Sequence, residues 1–253
     1  MAVQLKQWMK LKPPMVLAGC AVAELVGTMF FVFLGALSVS VTVQFTSYEP
    51  LTRVIVIALG YGLGLTLAVS ATAGVSGGHI NPAVTISLLA VGLTDVLSAA
   101  VYIVAQVLGG VFGAGLAKAI VPSDVNGILG QPRLGVGISV GQGFLTELLL
   151  TAVLVYTIFA CAVDPRGPAA LAPLLIGLSV LVDNAVGVPL TGASMNPARA
   201  FGPAVWSGAW ADQWLYWFGP IVGALLVAIP YTAIYLMPLA KKGEDEGESK
   251  DDV

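Results

Sequence analysis

Two Asn-Pro-Ala triplets, Asn81-Pro82-Ala83 and Asn196-Pro197-Ala198, stand 115 residues apart. An asparagine side chain caps a helix start by accepting from a free backbone N–H. Proline suits the first helical turn, where its missing N–H costs nothing. Each triplet therefore predicts a helix N-terminus, and one copy alone would say no more. Two copies at related places, each opening a short apolar segment, point to a paired site. Arg199 lies three residues past Asn196, within the first turn of the second short helix. Glu24 and Glu147 are carboxylates inside apolar runs, and His79 is the single histidine. One histidine excludes multi-His metal chemistry, and no Ser-His-Asp set or carboxylate pair stands out. Cys20 and Cys161 sit in apolar runs and read as neither a disulfide framework nor a metal site. No cofactor or metal is expected, and an enzyme is the least supported class.

The elements that must hold these residues are built for lipid. The chain has 253 residues, 57% of them hydrophobic and 10% charged. A soluble domain carries roughly 25% charged residues, and a mean hydropathy of +0.92 leaves no water-exposed surface to match. Six apolar runs cover roughly Met15–Val43, Val54–Thr72, Val96–Val121, Gly141–Val163, Ala170–Val188 and Gln213–Met237. At ~1.5 Å per residue each can cross a hydrocarbon core of ~30 Å. Unpaired backbone is costly in lipid, so these should be helices. The first run is too long for the ~7–15-residue core of a signal peptide. Two further pieces, about Asn81–Gly92 and Asn196–Ser207, are too short to cross. Gly-rich stretches with Gly74, Gly77 and Gly78, and with Gly187 and Gly192, precede them. Nothing is basic enough to suggest nucleic acid.

The halves repeat. Ala23-Glu24-Leu25 returns as Thr146-Glu147-Leu148, Asn81 as Asn196, and Tyr102 as Tyr216, at offsets of 123, 115 and 114 residues. Each copy, about 15–121 and 141–239, holds three spans and one half-helix. Three is odd, so the second copy must sit inverted in the membrane. A channel-like domain over 15–239 then leaves an N-terminal segment 1–14 and an acidic tail 240–253, which reads as disordered. Lys6, Lys10, Lys12, Arg166, Lys241 and Lys242 fall on one side and Arg53, Lys118 and Arg133 on the other. The positive-inside rule puts both termini in the cytoplasm; which membrane is involved is not legible.

Two half-helices entering from opposite faces meet at the bilayer centre, each N-terminus carrying roughly +0.5 of a charge. The amides of Asn81 and Asn196 can donate toward an axis between them. Non-helical Gly77-Gly78-His79 and Gly192-Ala193-Ser194 can present carbonyl acceptors, since irregular backbone is tolerated where it lines a wet cavity. A buried Arg199 would add a fixed positive charge. The pattern implies a narrow polar path for small neutral molecules that is closed to cations and hydronium.

The stretches Gly77 to Val84 and Thr191 to Pro203 resemble the two signature boxes of the aquaporin (major intrinsic protein) family. The resemblance runs from about Gly19 to Leu236. It implies an all-α integral membrane hourglass of six transmembrane helices and two re-entrant half-helices, one pore per protomer, and a homotetramer passing water. It also implies a central constriction at the two triplets, pore-lining backbone at Gly77, Gly78, His79, Gly192 and Ser194, and a selectivity filter of Tyr61, Asn184, Ala193 and Arg199. Asn184 departs from the His usual in strict water channels, which opens the way to other small neutral solutes. Ala200, Ala204 and Tyr216-Trp217 resemble water-type members, and the second box is similar to the tonoplast intrinsic proteins and ammonia-permeable animal aquaporins. Water is the expected main substrate, with ammonia, hydrogen peroxide or urea as extras.

Glu24 and Glu147 are read as structural acceptors for re-entrant backbone N–H groups rather than a proton relay. His79 reads as pore lining rather than a pH gate. Asp183, one residue and ~100° from Asn184, should face away from the path. Gln106 is expected to bond between helices, and Gly109, Gly113 and Gly223 to give close-packing faces. A secondary transporter also uses inverted repeats and broken helices; it would need coupling carboxylates at the midplane. An adhesion protein on the same fold would need large outer loops, and the stretch Pro122 to Val140 is modest.

Overall fold

The computed structural model describes residues 11–44, 49–122 and 129–241. Lys6, Lys10, Lys242 and most of the acidic tail lie outside the described residues. Among the described residues the chain forms eight α-helices: α1 (Pro14–Gln44), α2 (Pro50–Ser76), α3 (Pro82–Ala90), α4 (Val96–Ile120), α5 (Val140–Ile158), α6 (Ala172–Thr191), α7 (Pro197–Ser207) and α8 (Leu215–Tyr231). Single π turns extend α5 over Phe159–Val163 and α8 over Thr232–Leu236, and a 3-10 turn, Ala169–Leu171, leads into α6. Six of these stretches are long and apolar enough to cross a membrane. The short α3 and α7, of 9 and 11 residues, are not.

Helices α2 and α6 run past the C-terminal ends of the apolar stretches that announce them. Helix α2 begins at Pro50, at its first turn, and continues through Gly74 to Ser76; α6 continues through Gly187 and Pro189 to Thr191. Gly74, beyond the apolar run that ended at Thr72, is thus helical, and Gly187 is helical as the run Ala170–Val188 implied. The physical reason is that in lipid a helix ends only where another group takes over its carbonyls. Here that happens at left-handed Gly77 (φ 99°) and Gly192 (φ 83°), whose N–H groups return to Ala73 and Val188. The non-helical loops shrink to 77–81 and 192–196.

The packing is written twice. Helix α1 lies against α2 and α4, and α5 against α6 and α8. The short helices cross over: α3 packs on α8 and α7 on α4, so each half seats its short helix on the other half's third span. A Cβ on Gly113 would overlap the Met29 carbonyl oxygen, and one on Gly223 that of Leu148. These contacts set the backbone-to-backbone approach of α1 with α4 and of α5 with α8.

Polarity is inverted relative to a water-soluble protein. Leu59, Leu67, Phe112, Leu149, Val153 and Leu226 face outward, while Glu24, Asn81, Glu147, Asp183, Asn196 and Arg199 are buried. Exposed Trp206, Trp210 and Trp214 gather at one end, where amphipathic rings sit at a membrane–water boundary. What the fold must position lies on its axis.

Candidate functional site

Each re-entrant loop hangs from a carboxylate. Glu24 accepts from the Ser76 hydroxyl (2.6 Å), the His79 N–H (2.9 Å) and the Ile80 N–H (2.7 Å). Glu147 accepts from the Thr191 hydroxyl (2.7 Å), the Ser194 N–H (2.8 Å) and the Met195 N–H (2.7 Å). Both are fully buried. A tyrosine steadies each loop start: Tyr102 donates to the Ser76 carbonyl at 2.9 Å and Tyr216 to that of Thr191 at 3.0 Å. These bonds hold Ile80 and Met195 in left-handed backbone, both at φ 55°. Such strain persists only where surroundings over-determine it.

The next residue in each loop is the asparagine. Asn81 Oδ1 accepts from Ala83 N at 2.9 Å; Asn196 Oδ1 accepts from Ala198 N at 2.9 Å and Arg199 N at 3.3 Å. The amide nitrogens reach across the molecule: Asn81 Nδ2 donates to the Met195 carbonyl and Asn196 Nδ2 to that of Ile80, both at 2.9 Å. An amide has two N–H groups. One of each is spent on the opposite loop, a tie the sequence alone did not suggest. The other remains to donate. Pro82, Ala83, Pro197 and Ala198 are buried behind the asparagines, as the first turns of α3 and α7.

A cavity of about 250 Å³ runs from Ala162, Ala169 and Pro173 past His79, Asn81 and Asn196 to Tyr61 and Asn184. Gly77, Gly78, Ala193 and Ser194 also line it; Val69, Leu154 and Ile176 form apolar wall. Gly192 is turned to another task, because its carbonyl accepts from Arg199 Nη2 at 2.9 Å. Arg199 Nη1 donates to the Gly130 carbonyl at 2.7 Å, and its guanidinium carbon stands 4.4 Å from the Tyr61 ring centroid. Arg199 is 2% exposed, and its Nε has no partner.

Tyr61 and Asn184 line the cavity, and Arg199, which is not among the lining residues, stands behind the Tyr61 ring. The Tyr61 hydroxyl, Asn184 Oδ1 and Arg199 Nε are buried without a partner. The Asn184 amide nitrogen is tied to the Val180 carbonyl of its own helix at 2.8 Å, which leaves the oxygen as its free end. Asp183 is buried and is not among the cavity-lining residues. Gln106 Nε2 joins α4 to both Glu24 (2.8 Å) and the Thr85 hydroxyl (2.9 Å). His79 Nδ1 lies 3.2 Å from the same hydroxyl, with its ring edge-on to Tyr102.

Gly130 is the site residue that sequence reasoning missed. It sits in the stretch 122–140, to which composition gave no role. Its one local signal, a glycine after Leu129, does not reveal that both are left-handed, at φ 74° and 47°. Among the described residues no cluster of three or more His, Cys, Asp or Glu could hold a metal.

The arrangement gathers positive potential at a narrow polar stretch. Two helix N-termini face each other and a guanidinium stands near, while the two carboxylates are occupied by loop N–H groups. A unit cation ~4 Å from Arg199 meets ~4 kcal/mol of repulsion at an effective dielectric of 20, about a thousandfold in occupancy.

The chain matches the family model described as MIP: Major intrinsic protein over residues 14–231. It is 39% identical over 227 residues to aquaporin TIP4-4 of Zea mays, covering 87% of this chain and 88% of that one. It is 42% identical over 220 residues to human aquaporin-2, covering 87% and 79%. With mouse aquaporin-4 the identity is 41% over 219 residues, 84% of this chain and 66% of the relative's length. Its fold is similar to the X-ray structure of the aquaglyceroporin from Plasmodium falciparum, with a TM-score of 0.78 at 24% identity, over 89% and 99% of the two chains.

Proposed function

The chain belongs to the major intrinsic protein family, and from that premise we propose that it passes water as its main substrate, with ammonia, hydrogen peroxide or urea as smaller neutral fluxes. It is a multi-pass integral membrane protein and a passive channel. In our reading both termini face the cytoplasm and four copies assemble, each with its own path.

One observation carries the assignment of the site: each asparagine amide is locked by the opposite loop, with one N–H left over. A water between Asn81 and Asn196 accepts from both, so its own hydrogens must point away along the path. Carbonyls of the two loops then receive them. A water held in this way is a poor link for a proton relay. Arg199, over Tyr61, guards the other end against cations.

Coupled transport would need a carboxylate free to take up an ion. Glu24 and Glu147 accept three or more hydrogen bonds each, which supports a structural role for both.

The test is stopped-flow swelling of proteoliposomes against water, urea, ammonia and glycerol, with proton flux measured in parallel. Fast water flux without proton flux is expected. Absence of water flux from correctly folded protein, or proton flux that tracks it, would overturn the proposal.

A further inference from the structure

We propose that Gln131 and Gln213 form a clasp that positions the filter arginine. This rests on the reading of Arg199 as the filter cation. Gln131 directly follows Gly130, whose carbonyl takes one end of the guanidinium. It is 6% exposed, and its amide nitrogen donates to Gln213 Oε1 at 3.3 Å. Gln213 stands at the foot of α8, so the bond ties the outer loop to a spanning helix 82 residues away.

Three features separate this pair from ordinary packing. First, Gln131 Oε1 and Gln213 Nε2 are both buried with no partner. Reversing both amides exchanges donor and acceptor and leaves the same count of unused groups, whereas reversing one sets like atoms face to face and loses the bond. An apolar pair would fill the space without orphaned polar atoms, so what the amides add is direction. Second, among the described residues five non-glycine residues have left-handed backbone: Ile80, Leu129, Ala193, Met195 and Asp212. Three lie in the re-entrant loops. The other two lie two residues before Gln131 and immediately before Gln213. Strained backbone is confined to the solute path and to this clasp. Third, the loop touches the arginine's other anchor. A Cβ on Gly192 would come within 2.8 Å of Pro132 Cα, and the Gly192 carbonyl holds Nη2. One loop thus governs both carbonyls that aim the guanidinium.

The experiment compares Gln213→Met, which keeps length but removes the acceptor, with Gln213→Glu, which keeps the acceptor. Both are full-length chains in liposomes. The readout is the urea-to-water permeability ratio, which cancels protein amount. Gln213→Met should raise the ratio about three- to tenfold, as loss of one ordinary hydrogen bond implies. Gln213→Glu should stay near wild type. Gln131→Met should reproduce the rise, adding little in the double variant, and it serves alone if Gln213→Met fails to assemble. A lower melting temperature with an unchanged ratio in the Met variants would make the clasp merely structural and overturn the inference. Arg199→Val separates the two levels: if it shifts the ratio and the clasp variants do not, the clasp fails alone. If none shifts it, the filter reading fails too.

Discussion

The two re-entrant halves share a scaffold and differ in what they place on it. In the first, Glu24 receives Ser76, His79 and Ile80; in the second, Glu147 receives Thr191, Ser194 and Met195, with matching atoms and distances within 0.1 Å. Three residues past the asparagine the copies part: Val84 lines the cavity wall, whereas Arg199 reaches Gly130 and Gly192. One residue further stand Thr85 and Ala200. Gln106, which ties Glu24 to Thr85, has Pro220 as its counterpart. The first half spends its polar side chains on internal cross-links. The second places a buried guanidinium over the cavity-lining Tyr61. A duplicated frame thus holds the loops, and on the proposed function selectivity comes from departures from the duplication.

If the frame is shared, breaking it should be equally severe in either half. Glu147→Leu leaves the Ser194 and Met195 N–H groups and the Thr191 hydroxyl without their acceptor. Each such orphan costs ~1–3 kcal/mol, against a total stability of ~5–15 kcal/mol. Loss of assembled protein is expected, measured by size-exclusion chromatography in detergent after expression. Glu24→Leu should behave alike. A well-assembled channel from either variant, or new proton conduction through it, would break the comparison.

Arg199→Val makes the second half chemically like the first at the point of divergence. The scaffold bonds remain, so the protein should assemble and water flux should persist. The urea-to-water ratio should rise by about tenfold, the equivalent of ~1.4 kcal/mol. A ratio that stays put would mean that the asymmetry carries no selectivity. Asn184→His sharpens the same point from the cavity lining. The larger ring narrows the path beside Tyr61, so urea and ammonia fluxes should fall about threefold, less than one factor of ten per ~1.4 kcal/mol. Water flux should hold. Unchanged ratios would remove Asn184 from the filter.

What the sequence revealed follows the same division. The six spans were legible because apolar length is a local property, and the duplication because Asn81 and Asn196 recur with their neighbours. Helix ends were misplaced by a few residues, since apolarity fades before the helix does; Gly74 looks like a loop residue and lies inside a helix. Arg199 was legible through its place three residues past a capping asparagine. Its carbonyl partner Gly130 was not, because a bond between residues 69 apart in a loop of mixed composition leaves no periodicity. The partners of Glu24 and Glu147 could be named from the family resemblance but not from spacing. The cross-tie from each asparagine to the other loop had no sequence signal beyond the pairing of the triplets.

The smallest effect concerns how the loops outside the path are secured. Among the described residues the loop before α5 is held without an ion pair, through the Gly130 carbonyl, which accepts from Arg199, and the Gln131 side-chain amide. The loop after α5 is held by charge: Asp164 accepts from the Arg166 backbone N–H at 2.9 Å, from Arg166 Nε at 2.8 Å and from the Tyr231 hydroxyl at 3.1 Å. Arg166 beside it holds the Asp164 carboxyl down to about 2. A carboxyl lowered from ~3.9 in the unfolded chain stabilises the fold at pH above ~3.9. That contribution is lost as pH falls through about 2. Across pH 5 to 8 the strap is therefore constant and gives no pH dependence to flux. Asp164→Asn should lower the melting temperature slightly at neutral pH, because Arg166 is 53% exposed and solvent screens the pair. The gap between variant and wild type should close in acid near pH 2. A gap that instead opened between pH 5 and 8 would mean that a group other than Asp164 secures this loop, and the contrast between the two loops would fail.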